Sequence, residues 1–312
     1  MIHEKDEYLH EYKRNKDWKE SIDINFVDKK NNTFGSVEIN YYYTKQKTEF
    51  ICLLIVNDKI YKHKTETNIV QYKGKKIANK TFEYKINKPM ENFDLKFSNE
   101  SLQAKLKIFG LCPVHLFPTN IGDNSDQSVI LQDITLWNQY EQRCRITGDI
   151  TIKNGEDKGL TKKIECFGQR EHSWGRRLTD RMNCQSRLSI QFRDMAMIVN
   201  YFEIDGHTIS SGVITRKRGN IPIQCSNLES ISISKDNMNP ISTEFSYKDA
   251  QNDVDLIVSK TLHTIPIQLS KNMRNTHKKF KNFSEFTIIG INKKGIGMEY
   301  LYTPIEKLEN ME

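Results

Sequence analysis

The chain has 312 residues, with 47 Lys and Arg against 40 Asp and Glu for a net charge of +7; at roughly 100 to 200 residues per domain it holds one large or two ordinary domains. The apolar fraction is only 37%, but 15 Phe, 13 Tyr and 3 Trp supply large side chains for a core. The positive charges are scattered through lysine-rich turns with no arginine stripe, which argues against a nucleic-acid partner, and no apolar run approaches the roughly 18 residues of a membrane span.

The N-terminus Met1-Ile2-His3-Glu4-Lys5-Asp6-Glu7 is charged from the start and lacks the apolar core of a secretory signal. Tyr8, Leu9 and Tyr12 suggest a short, peripheral surface helix before Glu20. From Ser21 the period changes to two: Ile22, Ile24 and Phe26 alternate, Asp28 to Asn32 reads as a turn, and Val37, Ile39, Tyr41 and Tyr43 alternate again, predicting a hairpin. Short strands separated by turn formers recur from Phe50 through Ile108. Thr119 to Ser128 is polar and aperiodic, a long loop of the kind that forms lids. Trp137 to Ile152 reads as a strand, Asn154-Gly155 as a turn, and alternation resumes in Leu188, Ile190, Phe192 and again in Met197, Val199, Tyr201, Glu203. Almost nothing sustains a helical period beyond three turns, so the expected class is all-β, with barrels or sandwiches divided at residues 1–180 and 181–312.

The densest chemistry lies in Phe167-Gly168-Gln169-Arg170-Glu171-His172-Ser173-Trp174-Gly175. As a strand it points Arg170, His172 and Trp174 to one face and Gln169, Glu171 and Ser173 to the other. The plain structural reading is a strand end in which Trp174 fills core and His172 holds a carbonyl. Cys52, Cys112, Cys144, Cys166, Cys184 and Cys225 are spread singly, with no CxxC pair, as expected of reduced thiols in a cytoplasmic protein. Cys166, His172 and Cys184 match no common zinc spacing, so no metal is expected of them. Ser173 diverges from His172 on a strand and lacks the Gly-x-Ser-x-Gly elbow of a hydrolase. Lys271 to Lys281 is a basic run with one aromatic that reads first as a solvated loop, and otherwise as a point of transient contact with an anionic membrane surface or nucleic acid.

The motif Gly168-Gln169-Arg170-Glu171-His172-Ser173-Trp174-Gly175, with Tyr140-Glu141-Gln142 and Thr147-Gly148 before it, an Asp205-Gly206 turn after it and Gly295 to Tyr300 near the end, resembles the double-lipocalin proteins grouped with carotenoid 1,2-hydratase (hydroxyneurosporene synthase). The resemblance implies two tandem lipocalin-like antiparallel β-barrels and a terpenoid, carotenoid or lipid-like ligand. It implies a hydratase (hydro-lyase), cyclase or isomerase acting on an isoprenoid without a cofactor, or a non-enzymatic carrier of such molecules. It carries His172 and Trp174 over as catalytic residues, and matches a second element to Tyr201 and Glu203, where Glu stands in place of Asp. Arg170, Glu171, Tyr140 and Glu141 are the corresponding candidates for ligand binding. In that scheme Glu203 is a buried, neutral acid that protonates an alkene, Trp174 and Tyr201 face the resulting cation, and His172 orients the acid or relays a proton.

Overall fold

Alternation is cleanest in β6 (Phe82–Lys88), β7 (Asn92–Ser98) and β8 (Leu102–Gly110), where Phe82, Tyr84, Ile86, Phe93, Leu95, Phe97, Leu102, Ala104, Leu106 and Ile108 are buried and Lys85, Lys96, Lys105 and Lys107 are exposed. A strand with this pattern makes a sheet with one apolar face and one wet face. The computed structural model describes residues 2–12, 18–70, 75–117, 137–176, 181–236, 238–251, 253–269, 273 and 275–309. Thr119 to Ser128, which the sequence marks as a loop, lies outside the described residues, as do Arg177 and part of the basic run at 271–281.

The chain divides into two units, Met1–Leu178 and Thr179–Glu312, and both are antiparallel β structures of lipocalin-like architecture. In the first unit β1 (Trp18–Asp28), β2 (Thr33–Tyr42), β3 (Lys47–Val56), β4 (Lys59–Asn68), β5 (Lys76–Ala78), β10 (Trp137–Ile152) and β11 (Thr161–Arg176) join β6 to β8 in one curled sheet. Its order is β4-β3-β2-β1-β11-β10-β8-β7-β6-β5, with the short β9 (His115–Leu116) paired to β10. This sheet is a half-barrel: β11, which comes last in the unit, is inserted between β1 and β10.

The second unit is a closed eight-stranded barrel. Its strands are β12 (Met182–Gln191), β13 (Met195–Ile204), β14 (His207–Arg216), β15 (Gly219–Ile233), β16 (Pro240–Asp249), β17 (Val254–Pro266), β18 (His277–Ile288) and β19 (Lys293–Pro304), followed by the short helix α1 (Ile305–Glu309). Asp205 and Gly206 both have positive φ, 49° and 78°, the two-residue hairpin geometry that matches the twist of the strands it joins. β19 closes the barrel by pairing β12 as well as β18. A Cβ on Gly297 would sit 1.9 Å from the Ser189 carbonyl oxygen, so only glycine permits this closure at the observed strand spacing. Among the described residues no helix is long and apolar enough to cross a membrane, and all six cysteines are free.

One local expectation is corrected. Among the described residues before β1 there is no amphipathic helix, only a single 3-10 turn at Glu4–Glu7. The turn expected between β1 and β2 is present as a 3-10 turn at Lys29–Asn31, with Asp28 accepting from the Asn31 amide and Asn32 left-handed at its end, and the two strands form the hairpin. The polar row of β11 is buried as well: Gln169, Glu171 and Ser173 all lie out of solvent.

Inside the second barrel Glu299 is fully buried and accepts hydrogen bonds from Ser186 Oγ (3.0 Å), Thr243 Oγ1 (3.2 Å) and Asn282 Nδ2 (3.3 Å). Burial raises its pKa to about 7 despite those three donors. Because the folded value lies above the unfolded one, the protonated group's contribution is complete below the unfolded pKa and is lost as pH rises through the folded pKa. Thermal unfolding of this barrel is therefore expected at lower temperature at pH 8 than at pH 5, with a difference on the order of 3 kcal/mol. Glu299→Gln should flatten the dependence, as read by calorimetric scans across that range.

Candidate functional site in the first unit

Strand register brings the motif side chains together. Across β10, Tyr140 pairs with His172 and Gln142 with Arg170; across β1, Glu20 pairs with Trp174 and Ile22 with His172. Gly168 makes the approach possible at the start of this run, because a Cβ there would meet Ile146 Cδ1 at 2.5 Å and the Asn25 carbonyl oxygen at 2.6 Å. Arg170, His172 and Trp174 do share one face: the His172 and Trp174 rings lie 5.3 Å apart, and Trp174 forms an aromatic cluster with Trp18 and Tyr140.

His172 is held at both ring nitrogens. Nε2 lies 2.8 Å from Glu20 Oε1, and Nδ1 lies 3.3 Å from the Tyr140 hydroxyl. Arg170 in turn donates through Nε to Gln142 Oε1 at 2.7 Å and through Nη1 to the Tyr140 oxygen at 3.5 Å. Its guanidinium stacks over Phe93, 4.3 Å from the ring centroid, and forms a forked ion pair with Glu7, one arm of which measures 3.1 Å. Burial works against charge on Arg170, but Glu7 together with Tyr140, Tyr84 and Cys144 more than offsets it and keeps the guanidinium protonated.

The N-terminal segment, expected at the periphery, supplies two of these partners. Glu7 and Arg170 are both 2% exposed. Three residues on, His10 stacks on Trp174 with ring centroids 3.8 Å apart and planes within 8°. Its Nδ1 lies 2.9 Å from Glu20 Oε1, and its backbone amide also donates to Glu20. The Tyr43 hydroxyl donates to Glu20 Oε2 at 3.1 Å. Burial pushes the Glu20 carboxyl up, but the hydrogen bonds from His10 and His172 prevail and leave it below the usual carboxylate range. Burial, with Glu20 beside it, keeps Tyr43 protonated; burial does the same for Tyr140.

The other sequence candidates fall elsewhere. Glu141 and Glu171 are register partners on the opposite face of the sheet, both buried, with Glu141 accepting from Gln139 (2.6 Å) and Gln169 (3.1 Å). Elsewhere on the same two strands Glu165 pairs with Arg145. Tyr201 and Glu203 belong to β13 of the second unit, where Tyr201 and Lys307 of α1 both donate to Glu203 Oε1. The expected neutral acid is thus an ion-paired carboxylate: burial raises its pKa, but Lys307 and Tyr201 more than reverse the shift. Glu203 lines an open groove of about 430 Å3 with Arg181, Asn183, Asp205, Met273 and His277.

Glu7, His10, Glu20, Tyr43 and Gln142 were not singled out from the sequence. Glu20 was nevertheless in phase with Ile22, Ile24 and Phe26, an acid at an inward position of an apolar strand. Nothing comparable marked Glu7 or His10.

A family described as a domain of unknown function (DUF7064) matches residues 3–299. The chain belongs to that family. No curated protein matches it. Among solved structures it is similar to NE1406 of Nitrosomonas europaea, assigned as AttH, at a TM-score of 0.66 and 9% identity over 91% of both chains. It is similar to CghA in complex with Sch210972, at 0.65 and 8% identity over 91% of this chain and 87% of that one. Kievitone hydratase from Nectria haematococca matches at 0.58 and 9% identity, over 92% and 88%. At these identities the likeness establishes the fold.

Removing one member of a fully buried ion pair strands the other charge. Glu7→Ala should lower the unfolding free energy by about 3–5 kcal/mol in urea titrations, whereas Glu4→Ala, an exposed position in the same turn, should change it by no more than about 0.5 kcal/mol.

Proposed function

We propose that the protein binds an apolar, terpenoid- or polyketide-like small molecule in its first unit and acts on a carbon–carbon double bond by hydration, cyclisation or isomerisation. The observation that carries this reading is the closure of an aromatic cluster, Trp18, Tyr140 and Trp174, onto a continuous polar chain, Arg170–Tyr140–His172–Glu20–His10. Aromatic faces hold an apolar substrate and stabilise positive charge developing on carbon, each worth about 0.5–2 kcal/mol. A hydrogen-bonded chain of imidazole, phenol and carboxylate carries the proton that hydration adds to one carbon while water supplies hydroxide to the other. Trp18 Nε1, Tyr41 Oη and His10 Nε2 are buried without a hydrogen-bond partner, and Trp18 lies in the aromatic cluster, so the region has polar capacity to spare for a substrate oxygen.

The His172-Ser173-Trp174 element similar to that of carotenoid hydratases supports this assignment, as does a fold shared with kievitone hydratase. The open groove beside Glu203 is a less suitable centre for protonating an alkene, because its carboxylate is already paired with Lys307.

A carrier function on the same scaffold is favoured by one specific observation: both nitrogens of His172 are occupied and the residue is 1% exposed, as in a purely architectural role. Mass spectrometry of organic extracts of the purified protein identifies the bound molecule. With that molecule as ligand, Trp174→Ala is expected to weaken binding at least about tenfold. His172→Gln should abolish turnover and retain binding; unchanged turnover would remove the enzymatic reading and leave carriage.

A further inference from the structure

Glu20 has no exposed surface, and among the described residues its side-chain contacts are two imidazoles, one phenol and the His10 backbone amide. Among the described residues no lysine or arginine reaches it. A buried carboxylate is ordinarily matched by a cationic side chain or by a metal ion, and here the surrounding donor set is that of a metal site. We infer that His10 Nδ1, His172 Nε2 and Glu20 Oε1 together bind a divalent first-row transition ion, zinc in first place.

The geometry supports this at two levels. The three ligand atoms lie within 4.8 Å of one another, with the carboxylate oxygen 2.9 Å from His10 Nδ1 and 2.8 Å from His172 Nε2. Two imidazoles and one carboxylate are a common zinc ligand set, and bonds of about 2.1 Å in tetrahedral geometry separate neighbouring ligands by about 3.4 Å. Side-chain adjustments of about half an ångström to about 1.4 Å, the mismatch between these separations, would seat the ion. Tyr43 engages Glu20 Oε2, so the shared Oε1 is the oxygen left for the metal.

An outer partner is in place for His172, and a carboxylate stands near His10 beyond hydrogen-bond reach. A ligating histidine normally donates its far N–H to a carboxylate, carbonyl or hydroxyl oxygen. The far nitrogen of His172 lies 3.3 Å from Tyr140 Oη, and that of His10 lies 3.6 Å from Asp6 Oδ1. The charges of Glu20 and Asp6 balance the divalent ion. Three protein ligands leave a fourth tetrahedral position, as in zinc sites that polarise a bound water. This inference goes beyond the proposed hydrophobic-substrate function and does not rest on it, because ion binding is measured without any apolar ligand.

The test uses the full chain carrying Cys225→Ser, since Cys225 is the exposed thiol that would bind metal adventitiously. Calorimetric titration with Zn2+ is expected to show one ion per chain. Co2+ should give the ligand-field spectrum of a tetrahedral nitrogen–oxygen site, without a thiolate charge-transfer band. His10→Ala, on a segment outside the sheet, should weaken the ion by more than the about 10- to 100-fold that an outer partner contributes, and Tyr140→Phe by about tenfold. Folded protein that takes up no ion overturns the inference, as does an ion that His10→Ala binds as tightly as the parent. Glu20→Gln adds a second check if it folds, and His10→Ala decides the matter if it does not.

Discussion

A carboxylate taken out of water must be compensated within a few ångströms, and the first unit is arranged around meeting that demand at Glu20. β1 places this acid on the same face as Ile22, Ile24 and Phe26, so it cannot reach solvent along its own strand. Its partners come from three other parts of the chain: His172 from β11, Tyr43 from the turn after β2, and His10 from the segment before β1. Each is polar but none is permanently charged, so the site holds its negative charge through hydrogen bonds. That distinguishes it from the neighbouring Arg170–Glu7 pair, where opposite formal charges meet directly.

The same contrast orders the two carboxylates of the second barrel. Glu299 is buried among hydroxyls and an amide, with no cation among the described residues, and its pKa rises to about 7. Glu203 sits at the barrel rim with Lys307 and remains ionised. Burial acts on both in the same direction; the difference lies in whether an ammonium is within reach.

Much of the architecture was legible because period-two alternation and turn residues survive in single strands. The all-β class, the Asp205-Gly206 hairpin and the shared face of Arg170, His172 and Trp174 all follow from local rules. What the sequence does not display is which strands become neighbours. His10, Glu20 and His172 are separated by more than 150 residues at the extreme and conform to no spacing motif, so only the insertion of β11 beside β1 reveals them as one constellation. Glu7 looked like any surface glutamate in a charged leader, since its partner at Arg170 is defined by tertiary register alone. The role expected of Glu203 failed for a different reason: its neighbour Lys307 comes from a helix a hundred residues later, and residue type alone carries no information about that counter-charge.

β11 pairs β1 at one edge and β10 at the other, and the Glu7–Arg170 contact spans 163 positions. During synthesis the opening strands must therefore wait, with one edge unpaired, until almost the entire unit has emerged. Such long-range closure is slow and leaves an aggregation-prone interval, so the nascent chain's exposure to chaperones should be governed by when its eleventh strand arrives.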